Sequence, residues 1–156
     1  MRSWIFIAAI CAFSMGSYGA EEKTALERGK YGPLDKAPQT ALYDYPIKVS
    51  KHVYSAIGAT QPPTYENAGH NNNLSFVLGS EAVLVVNGGS NNALAKALHS
   101  EIKKITDLPV RYVISENGQG HATYGNHYWK KQGATLIGHV DAQQEIDEKG
   151  FGGLAR

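Results

Sequence analysis

Residues 74–105 constrain the fold most. Leu74-Ser-Phe-Val-Leu and Ala82-Val-Leu-Val-Val are strand-like runs separated by Gly79-Ser80-Glu81, which is the composition of a β-hairpin. Gly88-Gly89-Ser90 ends the second run, and Leu94, Leu98, Ile102 and Ile105 then recur at helical spacing, with Ser90 or Asn91 as the N-cap. A strand, a tight turn and an amphipathic helix follow one another, an order that belongs to an α/β fold. Asp107-Leu108-Pro109 stops the helix, and residues 110–115 supply another strand. The polar loop 116–123 then lies beyond that strand's C-terminal end, the edge where open α/β sheets bind ligands.

Downstream, residues 124–132 read as a short helix ended by Gly133, residues 135–140 as a buried strand, and residues 141–149 as a helix with Asp141 and Gln144 spaced as a capping box. Upstream, Ile47 and Val49, then Val53, Ser55 and Ile57, alternate with more polar neighbours and give two short strands. Gln61-Pro62-Pro63-Thr64 breaks that pattern. The domain is therefore β-rich first and alternates α with β afterwards.

Residues 1–20 carry one basic residue, Arg2, an apolar run from Trp4 to Phe13, and small and polar residues before Glu21-Glu22. This is the pattern of a secretory signal peptide, and the apolar run is well short of the ~20 residues needed to span a bilayer. Ser17 and Gly19 satisfy the small-x-small rule, favouring cleavage after Gly19 over Ala20. The single cysteine, Cys11, lies inside the segment, so the mature chain has no disulfide, no thiolate ligand and no cysteine nucleophile. Residues 21–45 are charged, contain Pro33 and Pro38, and read as an extended leader; residues 46–156 form the domain. Fifteen Lys and Arg against fourteen Asp and Glu exclude nucleic acid and an acidic membrane as principal partners. A secreted or periplasmic protein acting on a small molecule or a periplasmic protein is the expectation.

Three segments carry a resemblance: Asn73-Leu-Ser-Phe-Val-Leu-Gly, Val83-Leu-Val-Val-Asn-Gly-Gly-Ser, and Gly125-Asn-His-Tyr-Trp-Lys-Lys-Gln-Gly-Ala-Thr-Leu-Ile-Gly-His. In this order they are similar to the metallo-β-lactamase superfamily over about residues 46–149, nearest to periplasmic members associated with quinoprotein or sulfur-oxidation systems. The resemblance implies an αββα sandwich of two similar halves with zinc at the sheet edge, this chain corresponding to the first half. The family's His-x-His-x-Asp-His motif, aligned on Gly125-Asn126, falls on Asn117, Gln119, His121 and Ala122. Neutral amides are weak zinc ligands. Asn87 stands where the family has an aspartate that helps orient ligands.

The residues that would carry chemistry are accordingly His121 and Glu116 as acid-base groups, His121, Asn117 and Gln119 as metal ligands, and Asn87 and His139 as supporting groups. Two readings follow. In one, the chain is a hydrolase-like protein, with a zinc-bound water attacking an ester, thioester or amide carbonyl in an intact family member. In the other, it is a non-catalytic binding or accessory protein using the same loop. The half-sandwich would also expose an apolar inner face, which predicts self-association. Competing plain roles are a helix-surface position for His127, surface or turn positions for His52, His70 and His99, a turn for residues 70–73, and core filling by Tyr124, Tyr128 and Trp129.

Overall fold

The computed structural model describes residues 41–154. Strands β1 (Ile47–Lys48), β2 (Val53–Ala56), β3 (Leu74–Leu78) and β4 (Val83–Val86) run as an antiparallel meander; β5 (Val110–Ser115) and β6 (Thr135–Gly138) then add in parallel, giving a six-stranded sheet in sequence order. Helix α1 (Asn92–Ile105) links β4 to β5, and α2 (Gly120–Thr123) and α3 (Asn126–Lys131) link β5 to β6. Helix α4 (Val140–Leu154) follows β6. No described helix is long and apolar enough to cross a membrane.

Alternation within each strand divides the sheet into two faces. On one, Leu74, Phe76, Val83, Val85 and Val113 are fully buried against Leu94, Leu98 and Ile102 of α1 and Trp129 of α3. Hairpin pairing of Phe76 with Val85 and Leu78 with Val83 sets this register, and Tyr54 stacks on Phe76 with ring centroids 5.0 Å apart. Asn91 is the N-cap of α1, its Oδ1 accepting the Leu94 N–H at 2.8 Å. Ile105 departs from the expected buried stripe: as the last helical residue it has no following turn to shield it, and it is 39% exposed.

Several expectations are corrected. Strand β6 was expected to be buried, yet all four of its residues are exposed, because it is an edge strand paired only with β5. An apolar run marks a strand without stating how many neighbours cover it. The polar loop ends early, at Gly120, where α2 starts, and the expected helix over 124–132 begins only at Asn126. Helix α4 starts at Val140, one residue before the expected capping box. His139 takes the capping place: its carbonyl accepts from Gln143 N and its Nδ1 from Asp141 N, while the Gln144 amide turns forward to Glu148.

Two histidines expected at the surface or in turns are inside. His70 is wholly buried, its Nδ1 accepting the Tyr43 N–H at 2.8 Å, and burial pushes its pKa down to about 4. His99 is buried between α1 and α3, where its Nδ1 lies 2.8 Å from the Tyr128 hydroxyl; burial, with Lys103 nearby, lowers its pKa. His127 is exposed, as expected, and Trp129 fills the core, its Nε1–H donating to Gly88 O. Leu42 also belongs to the core, so the expected leader ends inside the packed domain. The signal segment and residues 21–40 lie outside the described residues.

Candidate functional site

The site is built where the parallel strands β4 and β5 end. Strand β4 passes into Asn87-Gly88-Gly89, where Asn87 and Gly89 take the left-handed backbone region with φ of 68° and 93°. Glycine adopts that region freely and asparagine more readily than most residues. Asn87 is almost wholly buried: its Oδ1 accepts the Glu116 N–H at 3.2 Å and its Nδ2 donates to Asn73 O at 3.3 Å. With its own N–H on Ile114 O at 2.7 Å, this one residue ties together the start of β3 and the ends of β4 and β5.

Backbone contacts then lock the two turns to each other. Gly88 N donates to Ala122 O and Gly125 N to Gly89 O, both at 2.7 Å. A Cβ on Gly125 would lie 2.1 Å from Gly88 O, and one on Gly88 would lie 2.0 Å from Asn126 Oδ1. Gly125 therefore requires glycine, because the atom in the way is backbone, whereas a Cβ at Gly88 would have to displace the Asn126 side-chain amide. Asn126 Nδ2 donates to Ser115 Oγ at 3.1 Å, closing the arrangement beneath the loop.

On this frame the loop presents His121, a quarter exposed, with Nε2 3.9 Å from the half-exposed Glu116 carboxylate and 3.4 Å from Asn117 Nδ2. Asn117 Oδ1 accepts Gln119 N–H at 2.8 Å, and Thr123 Oγ1 donates to Gln119 O at 2.9 Å. These are local side-chain-to-backbone bonds of the kind that shape Asx turns. The structure thus brings Glu116, Asn117 and His121 together above Asn87. Gln119 enters through its backbone and leaves its side chain exposed. The Ala122 methyl is fully buried. His139 does not join the group: it is exposed at the start of α4, 3.4 Å from the Asp141 carboxylate.

One neighbour escaped the sequence reading. A Cβ on Gly118 would lie 2.7 Å from Ala142 O and 2.9 Å from both Cβ and Oε2 of Glu145, so Gly118 allows the first turns of α4 to pack on the loop and brings a further carboxylate to its side. No pattern in the sequence signalled Glu145, since its proximity depends on the direction in which α4 leaves the sheet.

A zinc ion needs three or four imidazole, carboxylate or thiolate ligands in a tetrahedral arrangement. Among the described residues no three His, Cys, Asp or Glu side chains converge in that way. The donor set around His121 offers one imidazole, one carboxylate facing it and one neutral amide. These residues by themselves do not fit a zinc centre.

Compared by sequence, the chain matches no family model and no curated protein. Compared by structure, it is similar to the metallo-β-lactamase FIM-1 from Pseudomonas aeruginosa in its mono-zinc form, with a TM-score of 0.56 and 14% identity over 67% of this chain and 46% of that one. A metallo-β-lactamase from Pontibacter korlensis aligns with a TM-score of 0.55 and 16% identity over 67% of this chain and 47% of that one. The fold is that of the metallo-β-lactamases, and the chain spans less than half the length of these two solved structures.

Proposed function

We propose that this chain is an exported, hydrolase-like protein that binds a ligand at loop 116–123 and does not by itself carry out zinc hydrolysis. The observation that carries this reading is the donor set: Asn117 and the Ala122 methyl, with His121 between them, stand at motif positions where the family has zinc ligands, and Glu116 faces His121 at 3.9 Å. The binding groups are the exposed Gln119 amide, the Asn117 amide, the His121 imidazole and the Glu116 carboxylate, held on the rigid Asn87 clamp. They offer donors and acceptors to a small polar molecule or to a polar segment of a periplasmic protein. Export rests on the signal-like pattern of residues 1–20.

The test is zinc content and turnover of the purified chain after incubation with zinc. Less than stoichiometric metal and no hydrolysis of ester, thioester or β-lactam substrates is the expected result; stoichiometric zinc with turnover defeats it. Ligand binding is read on a small-molecule panel with the Gln119→Ala and His121→Ala double variant, for which unchanged affinity would remove the loop from the site. N-terminal sequencing of the protein from its host checks export, an intact Met1 counting against it.

A second reading is favoured by the partial coverage of the two solved structures. In it the chain is one half of a zinc hydrolase whose remaining ligands come from further polypeptide. Reading the encoding DNA beyond Arg156 decides it: an open frame with further His and Asp motifs supports it, and an immediate stop counts against it.

A further inference from the structure

We propose that His70 is an acid-sensitive latch on segment 41–45, and that protonation of its ring loosens that segment from the domain. The ring is wholly buried, and its Nδ1 accepts the Tyr43 N–H at 2.8 Å. A ring nitrogen that accepts carries no proton, so the imidazole is neutral with its hydrogen on Nε2. A backbone N–H has no lone pair to offer in return. Once Nδ1 takes up a proton, two donors face each other and the bond to Tyr43 is lost. The residue before Tyr43 is Leu42, which is 2% exposed and belongs to the core, so the latch closes next to a buried anchor.

The two sides of the latch are held differently. His70 N donates to Asn67 O and His70 O accepts from Ala59 N, both at 2.8 Å, while Gly69 O accepts from Ser90 Oγ at 2.7 Å. The Asn67 side chain, in turn, bonds Thr64 N, Gly69 N and Pro62 O. Segment 41–45 belongs to no helix or strand, the first strand starting at Ile47, so the segment moves and the histidine stays. No opposite charge holds an imidazolium in place. Burial keeps the ring's pKa down at about 4, against a smaller opposing pull from the carbonyls of Ala56 and Asn72. The carboxylates on the surrounding segments are turned to other work: Asp44 Oδ1 accepts the Tyr45 N–H at 2.9 Å, and Glu66 bonds its own N–H and the Thr64 hydroxyl. The remaining titratable side chains there are the phenols of Tyr43, Tyr45, Tyr54 and Tyr65, which supply no negative charge in acid.

The latch is closed at neutral pH and opens as the pH falls towards 4. Because the ring takes up a proton near 6.5 when exposed and near 4 when buried, the open-to-closed ratio rises on the order of 100-fold between pH 7 and pH 4. Amide hydrogen exchange of the full chain, corrected for the intrinsic rate at each pH, is the test. The Tyr43 amide should lose about 100-fold of its protection over that range while the amides of Val85 and Leu98 keep theirs. Unchanged protection at Tyr43 overturns the proposal, as does a loss shared equally by Val85 and Leu98, which would be unfolding of the whole domain. In NMR titration the His70 ring should change state near pH 4, and a midpoint near 6.5 overturns the latch. His70→Gln keeps an acceptor that does not titrate, so protection at Tyr43 should no longer depend on pH; the same fall as in the parent chain overturns the role of His70. Asp44→Asn removes the one carboxylate of segment 41–45 and should leave the pH dependence intact. Its disappearance there would make Asp44 the trigger and overturn the proposal.

Discussion

Two turns lie side by side where β4 and β5 end, and they differ in kind. The turn 87–91 is held by backbone-to-backbone bonds, left-handed residues and the Asn91 cap, and its Asn87, Gly88 and Gly89 are buried. The loop 116–121 is held by Asn87 from below and by short-range side-chain bonds, and Glu116 and Gln119 are exposed. The frame beneath the loop is thus built from contacts other than the exposed Glu116 and Gln119 side chains. Close approach to the Gly88 carbonyl requires glycine at Gly125 whatever the neighbouring loop positions carry.

The largest way to break that contrast is Gly125→Ala, which drives a methyl into the Gly88 carbonyl, a backbone atom unable to turn aside. Loss of about 3 kcal/mol or more is expected in urea unfolding. A comparable loss follows from acid. The unfolded chain takes up a proton at His70 near its ordinary 6.5, while the folded chain resists until about 4. Stability at that residue is therefore complete above about pH 6.5 and falls progressively towards pH 4, by about 3 kcal/mol. Unfolding midpoints across that window check it, and His70→Gln, which keeps an acceptor for the Tyr43 N–H, should flatten the slope.

Smaller effects sharpen the contrast. Asn87→Ala strands the Glu116 N–H and keeps a side chain at positive φ, for an expected cost of about 1–2 kcal/mol. Asn87→Gly removes the backbone strain while losing the same bonds, so it should be the less harmful of the two in thermal unfolding. Asn91→Ala removes the cap of α1 and should cost about 1 kcal/mol. Gln119→Ala should change stability by less than about 0.5 kcal/mol, because its side chain is exposed. A large loss there would show that the loop shares the rigidity of the turn below it.

Strands β2 to β5 and helix α1 were legible because alternation and the Leu94, Leu98, Ile102 stripe are local consequences of strand and helix geometry. The loop after β5 was legible as a loop because a polar glycine-containing run follows a β-branched strand. The burial of His70 and His99 was not, since each depends on partners 27 and 29 residues away in the chain. Glu145 was missed for the same reason, and His139 turned out to cap α4 rather than support the loop.

What the sequence by itself determined is the order of elements, the presence of the β3–β4 hairpin and the amide-rich composition of the loop, all properties of neighbouring residues and their periodicity. Only the tertiary structure decided that Asn87 clamps three strand ends, that β6 is an exposed edge, and that His70 and His99 are buried. Each of these depends on which distant segments come to lie against a residue, and a residue's own type and spacing do not encode its coverage.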